Sequence, residues 1–256
     1  MRIVRSIFRI INYKTFIVTI LAVASTWLCM RYNVVANLPL TLVGIAIVFP
    51  VVFSIDSAYK RRERALALLG DIKAHSLSLY QASSDWIDPK NEGFKIRIKE
   101  KLMEIYAGIR ILLTSKNRDA RGFEENLYDK LAELSVLLQE FRKFGLVAGE
   151  MSRVSQYISK IEVALESLKV IYFYRTPITL RAYSKVFIYS FPIFYGPYFV
   201  YASQDYTPGL EFMMPVVFSF ILVSLDNIQD HLENPFDQVG EDDIKFDEKE
   251  FSAMMN

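Results

Sequence analysis

The residue types that usually carry enzyme chemistry are few in this sequence and far apart. It has one cysteine, Cys29, and two histidines, His75 and His231, so neither a zinc site nor a Cys–His nucleophile pair is expected. No glycine-rich phosphate loop and no nucleophile motif is present. Glu124 and Glu125 are adjacent carboxylates, but they lie in a strongly polar stretch where solvation explains them. The sequence therefore predicts a protein that is not an enzyme.

The elements that hold these residues include long stretches without charge. The chain has 256 residues, of which 52% are hydrophobic and 23% charged, so apolar and charged residues are separated along it. The charge-free stretches are 15–30, 32–55, 186–204 and 212–225. Because a helix needs about 20 mostly apolar residues to cross a membrane, they predict an all-α integral membrane protein with four transmembrane helices in two hairpins. The fourth stretch is short, and a turn at 206–209 pairs it with the third.

The region between the hairpins is rich in Lys, Arg and Glu, with apolar residues at helical spacing. The apolar residues at steps of three and four are Leu102, Ile105, Ile109 and Leu113, and then Leu131, Leu134, Leu138 and Phe141. The predicted organisation is a first region with hairpin one at 1–59, a cytoplasmic helical region at 60–182, hairpin two at 183–230 and a cytoplasmic acidic tail at 231–256.

Basic residues next to the charge-free stretches predict the orientation. They precede the first stretch and follow the second: Arg2, Arg5, Arg9, Lys14, Lys60, Arg61, Arg62 and Arg64. Because basic loops stay in the cytoplasm, both termini and the middle region are expected there. The first stretch has no small-residue cleavage pattern after Trp27, which indicates an uncleaved anchor. The formal net charge is +1, so no overall basic field indicates a nucleic acid partner.

Three local patterns narrow this description. They are AYKRRERALALLG at 58–70, RTPITLRAY at 175–183 and LENPFDQVGEDD at 232–243. In order and spacing they resemble motifs of the bestrophin family, especially its bacterial members. The first resembles that family's Ala-Tyr-x-Arg-Trp-Trp-Glu segment, with Arg62 and Glu63 in place of the two tryptophans. The match is strongest at Asn234, Pro235 and Phe236.

The resemblance implies a pentamer in which five copies of the second span surround a pore. It places Ile45, Phe49 and Phe53 in the narrow neck, where five-fold rings of apolar side chains gate ions by dewetting. The alternative for these residues is the ordinary one for a membrane helix, contact with lipid or with neighbouring helices. Pro50 lies among them and predicts a kink or local loosening, which suits a moving gate or a static bend equally.

The resemblance also implies a candidate calcium site in the acidic tail. Its residues are Asn234, through a carbonyl, and the carboxylates of Glu241, Asp242 and Asp243. The alternative is a solvated acidic terminus, which we favour because the cluster is offset and no EF-hand pattern is present. No other metal or cofactor is expected.

The function that follows from the resemblance is passive conduction of small anions such as chloride. The alternatives are a channel selective for monovalent cations, as in some bacterial relatives, and a non-conducting membrane scaffold whose cytoplasmic helices bind a partner. The expected partners are membrane lipid, permeating inorganic ions and further copies of this chain. The expected location is a bacterial inner (plasma) membrane.

Overall fold

The computed structural model describes residues 11–115, 121–174, 177–204, 209–238 and 242–256. Within these ranges the chain is helical and has no strand, so the all-α prediction is confirmed. The helices are α1 (Tyr13–Arg31), α2 (Leu40–Asp85), α3 (Glu92–Thr114), α4 (Arg121–Leu138), α5 (Ala148–Phe173), α6 (Ile178–Phe194), α7 (Gly196–Ser203), α8 (Leu210–Glu233) and α9 (Glu248–Ala253). A 3-10 helix, Gln139–Phe144, follows α4.

The chain forms two compact units. The first comprises Met1–Arg61 and Arg175–Glu233, and the second comprises Arg62–Tyr174 and Asn234–Asn256. The long helix α2 therefore contributes its first part to one unit and its second part to the other. The four-part division expected from the sequence stays a prediction.

The first unit is a bundle of membrane helices. Three helices in the described part of the chain are long and apolar enough to cross a membrane, namely α1, α2 and Glu211–Glu233 of α8. Their buried side chains form one cluster, which includes Val18, Ile47, Phe199 and Val223. Many other large apolar side chains of these helices are exposed, as expected for surfaces that contact lipid.

The third predicted span is not one helix. The stretch 186–204 divides between α6 and α7, which meet at Tyr195. Pro197 explains the break because it has no N–H to donate to the carbonyl of Ile193, four residues earlier. The Oγ of Ser25 in α1 donates to that carbonyl instead, at 2.7 Å. Gly196 permits this approach, since a Cβ at this position would lie only 2.8 Å from the Oγ of Ser25.

The fourth predicted span is longer than its charge-free stretch. Helix α8 has 24 residues and continues through Asp226 and Asp230 to Glu233. It ends directly before Asn234, as predicted, because the residue before Pro235 disfavours helical geometry. The predicted turn at 206–209 lies outside the described residues except for Gly209, whose φ is +100°.

The second unit is built around α3, α4 and α5. The periodic positions predicted from the sequence are its core: Leu102, Ile105, Ile109, Leu113, Leu131, Leu134, Leu138 and Phe141 are all buried. Asn91 caps α3, because its side-chain oxygen accepts from the backbone N–H of Phe94 at 2.9 Å. Gly145, with φ +79°, ends the 3-10 helix in the left-handed region.

The C-terminal segment is part of this core and not a solvated tail throughout. Phe236, Ile244, Phe251 and Met255 are buried with the helices of the second unit. The ring of Phe251 stacks on that of Tyr106 in α3, with centroids 4.3 Å apart. The Tyr106 hydroxyl finds no hydrogen-bond partner among the described residues. Burial, together with nearby Glu250, raises the pKa of Tyr106 to about 12.

This environment predicts that Tyr106→Phe changes how stability depends on pH. Unfolded Tyr106 loses its proton near its ordinary pKa of 10.0, whereas folded Tyr106 keeps it. Between the two values the folded state binds more protons, so the wild-type protein loses about 1.4 kcal/mol of stability per pH unit that the variant retains. Denaturant unfolding followed by Trp86 fluorescence, in a Trp27→Phe background, measures both proteins.

At pH 7 we expect the Tyr106→Phe variant to be as stable as the wild type or more stable, because it removes a buried hydroxyl without a partner. Above pH 10 the two stability curves should diverge. Curves that run parallel up to pH 12 would contradict the assigned environment.

Candidate functional site

The predicted neck residues lie on one exposed stripe of α2. Ile45, Phe49 and Phe53 are 50%, 56% and 61% exposed in the single chain. Steps of four residues keep them close together around a helix. The rings of Phe49 and Phe53 are in contact, with centroids 6.1 Å apart and planes inclined by 34°. These side chains are available to a surface outside the chain's own core.

The opposite face of α2 packs within the first unit. Ile47, Val51, Ser54 and Ala58 recur at steps of three and four and are at most 2% exposed. Ile47 and Val51 belong to the same apolar cluster as Phe199 of α7. Because this face is fixed against the unit's own helices, Ile45, Phe49 and Phe53 face away from the core of the first unit.

Pro50 lies inside α2, next to Phe49. It has no N–H to donate, so the carbonyl of Ala46 lacks its normal helical partner. The helix nevertheless runs without interruption from Leu40 to Asp85. The kink or loosening expected at this position stays a prediction.

The acidic segment after α8 forms a compact loop in the second unit. The backbone N–H of Ile244 donates to the carbonyl of Pro235 at 2.8 Å. The side-chain amide of Gln238 donates to the carbonyl of Ile244, also at 2.8 Å. The loop is therefore closed by protein hydrogen bonds at its base.

Two of the residues proposed as calcium ligands in this loop already interact with protein groups. The Nε of Arg62 donates to the main-chain carbonyl of Asp242 at 2.6 Å, so a guanidinium lies beside one of the residues proposed as ligands. Asp243 is 8% exposed and has its own interaction, and Glu241 lies outside the described residues. Among the residues that the structure describes, no three His, Cys, Asp or Glu side chains come together as a metal site. The calcium assignment, which includes Asn234, stays a prediction.

A network of ion pairs, which sequence reasoning missed, joins α1, α6 and α8. Asp230 of α8 is its centre: Arg181 Nη2 lies 2.8 Å from its carboxylate, Lys185 Nζ 3.1 Å and Lys14 Nζ 3.5 Å. These pairs lie near the starts of α1 and α6 and the end of α8, and their side chains are 27–31% exposed, so they join the ends of three helices. The sequence did contain a signal, namely basic residues four apart on α6.

The network continues along one face of α8. Asp226, which is fully buried, accepts from the hydroxyl of Tyr189 at 2.5 Å. Arg181 Nη1 lies 2.8 Å from a carboxylate oxygen of Glu233 as an ion pair without hydrogen-bond geometry. Acidic residues at steps of three and four on α8 thus meet the basic residues of α6, which fixes the ends of these helices together.

A second buried charge lies in the second unit. Burial by itself lowers the pKa of Lys169, but its partners Glu124, Tyr128 and Glu166 outweigh this and raise it above the ordinary value. The Nζ of Lys169 lies 2.5 Å from a Glu124 oxygen. The expectation that Glu124 is solvated is therefore only partly right: its side chain is 28% exposed, but its carboxylate joins α4 to α5.

Solved structures with the same arrangement of helices are known. A crystal structure described as a membrane protein covers 95% of this chain and 96% of its own, with a TM-score of 0.80 at 16% identity. Two point variants of a bacterial bestrophin homolog from Klebsiella pneumoniae also match. One covers 97% of this chain and 97% of its own, with a TM-score of 0.79 at 17% identity. The other covers 98% and 97%, with a TM-score of 0.79 at 18% identity.

The chain has the bestrophin fold. It extends over nearly the whole of both chains, so the bestrophin likeness inferred from the three sequence motifs is confirmed at the level of fold. No protein-family model matches the sequence, and no curated protein matches it. At 16–18% identity the likeness shows the fold and not the permeating ion, the gating signal or the number of subunits.

Because a guanidinium already lies at the main-chain carbonyl of Asp242, we predict that calcium does not stabilise the protein. A ligand that binds only the folded state raises its stability by about 2.7 kcal/mol at a hundredfold excess over the dissociation constant. We expect the unfolding temperature of the detergent-solubilised protein to be the same in 1 mM EGTA as after addition of calcium. A rise of several degrees that is lost in Asp242→Asn would show that calcium binds at this loop.

Proposed function

We propose that this protein is a subunit of a bestrophin-like ion channel that conducts small anions such as chloride passively. The observation that carries the proposal is the face of α2 bearing Ile45, Phe49 and Phe53, which is apolar, exposed in the single chain and opposite a face packed in the first unit. The bestrophin fold and the membrane-spanning helices support a role in a membrane.

The assembly in this proposal is a homopentamer with five copies of α2 around the axis. Each of the three stripe positions then supplies a ring of five apolar side chains. A narrow apolar passage holds no continuous column of water, and a small widening admits ions. Phe49 and Phe53 are large enough to fill such a passage, and their mutual contact couples the two rings.

The topology in this proposal has four spans, with α6 and α7 together forming the third. Division at Tyr195 is compatible with a span, because neighbouring helices satisfy the freed backbone groups, as Ser25 does for Ile193. Both termini and residues 60–182 lie in the cytoplasm of a bacterium, next to the inner membrane. Basic residues at the ends of the first two spans support this orientation.

A salt gradient across a bilayer tests the function. The purified protein is reconstituted under a tenfold potassium chloride gradient. We expect a current whose reversal potential is shifted from zero toward the equilibrium potential of chloride. A reversal potential on the potassium side would assign the protein to the cation-selective alternative. Absence of current at every protein density would remove the channel proposal and leave the scaffold.

The assignment of Phe49 and Phe53 to the pore neck predicts what happens when either side chain is truncated. Phe49→Ala and Phe53→Ala each remove a ring of five phenyl groups from the passage, so the dewetted barrier falls and the conductance or open probability rises severalfold. Phe16→Ala is the matched control: Phe16 lies on α1 and is 63% exposed, against 61% for Phe53. Single-channel recording of the three variants distinguishes a pore surface from a lipid surface. Equal behaviour of all three would contradict the neck assignment.

A further inference from the structure

The apolar stripe on α2 is followed, further along the helix, by an ion pair between Asp56 and Lys60. The Nζ of Lys60 lies 2.7 Å from Oδ2 of Asp56, one helical turn away. The two side chains are 72% and 47% exposed. Exposed pairs at this spacing are usually solvated surface features that stabilise a helix by only about 0.2–0.5 kcal/mol. Stability therefore does not explain why these residues follow the stripe.

The angular position of the pair on α2 is what sets it apart. At 3.6 residues per turn, Phe49 and Phe53 lie about 40° and 80° around the helix from Ile45. Asp56 and Lys60 lie about 20° and 60° from Ile45 on the same basis, inside the arc that the three neck residues define. Both charges therefore face the same side of α2 as the neck.

The distance along the helix is also short. With a rise of 1.5 Å per residue, Asp56 lies about 4.5 Å beyond Phe53 and Lys60 about 10.5 Å beyond it. The Debye length at physiological ionic strength is about 8 Å, so the charge at Asp56 is felt at the end of the neck. Apolar rings themselves have no preference for either sign of ion.

We propose that Asp56 and Lys60 together determine the charge preference of the pore, each weakening but not removing the other's field at the end of the neck. In a pentamer they form a ring of five carboxylates followed by a ring of five ammonium groups. Rings of Asp favour cations and rings of Lys favour anions. The paired rings oppose one another, and removal of either partner releases the preference of the other. The inference rests on the proposed channel function and adds its selectivity residues.

Charge-neutralising variants test the assignment through the reversal potential in a potassium chloride gradient. Asp56→Asn should shift the cation-to-anion permeability ratio toward anions, and Lys60→Gln should shift it toward cations. We expect a change of roughly fivefold in each direction, the effect of one unit charge at contact distance in water. The double variant, with both charges removed, should return toward the wild-type ratio. In about 1 M salt, where the Debye length is about 3 Å, both shifts should shrink.

Matched controls separate a local field from a general change in charge. Asp129→Asn and Lys249→Gln make the same chemical changes at exposed positions on α4 and α9. They should leave the permeability ratio unchanged. Lys60→Arg keeps the charge and should behave as the wild type. Since Asp56 and Lys60 are exposed, all variants should fold, and gel filtration and unfolding temperature in detergent check this for each.

The outcomes distinguish the two proposals. Wild-type current with the same permeability ratio in Asp56→Asn and Lys60→Gln overturns the assignment of these residues and leaves the channel intact. Shifts in the same direction for both variants overturn it as well, since opposite charges must act in opposite directions. No current from the wild-type protein overturns the channel and this inference together.

Discussion

The structure depends on a constraint on α2, which must present apolar surfaces on two opposite sides. In a membrane, apolar side chains gain nothing from leaving lipid, so helices associate through close packing and polar contacts. The inner face of α2 satisfies this condition with the small residues Ser54 and Ala58 beside Ile47 and Val51, all buried. The outer face, with Phe49 and Phe53, lacks such small residues and stays free of the chain's own core.

A few specific polar contacts help to hold the first unit together, because burial of apolar side chains gives little driving force between helices in a membrane. The Ser25 hydroxyl donates to the carbonyl of Ile193, which Pro197 leaves without its normal helical partner, and the approach is possible because Gly196 has no side chain. At the other end of α6, Asp230 gathers three basic side chains from α1 and α6. Ser25 joins α1 to α6, and Asp230 joins the ends of α1, α6 and α8, so these contacts fix the relative position of the helices.

The sequence predicted those features that local rules govern. Charge-free length indicated α1, α2 and α8, and apolar steps of three and four indicated the core positions of α3 and α4. Asn234 and Pro235 indicated the end of α8 because their effect on the backbone is local. The break between α6 and α7 was missed, since hydropathy treats Pro197 and Gly196 as part of one apolar stretch.

Long-range pairing was the other feature beyond sequence reasoning. Lys169 and Glu124 are 45 positions apart, and no periodicity connects them, yet together they form the buried charge contact between α4 and α5. The guanidinium of Arg62 on the carbonyl of Asp242 is a similar case, because backbone carbonyls have no signature in a sequence. The sequence offered two interpretations of the acidic loop, a calcium site and a solvated terminus, and neither of them included this contact.

The proposed roles of α2 follow from separating two physical tasks along one helix. An apolar constriction controls whether water and ions pass at all, because the barrier arises from the absence of hydration and is equal for both signs. Preference for one sign requires fixed charge near the constriction but outside it, since charge within the neck would wet it. Asp56 and Lys60 satisfy this condition by following Phe53 on the same arc of α2. The pairing of the two charges keeps them compatible with a dry neck, because a neutral pair attracts less water than either ion alone.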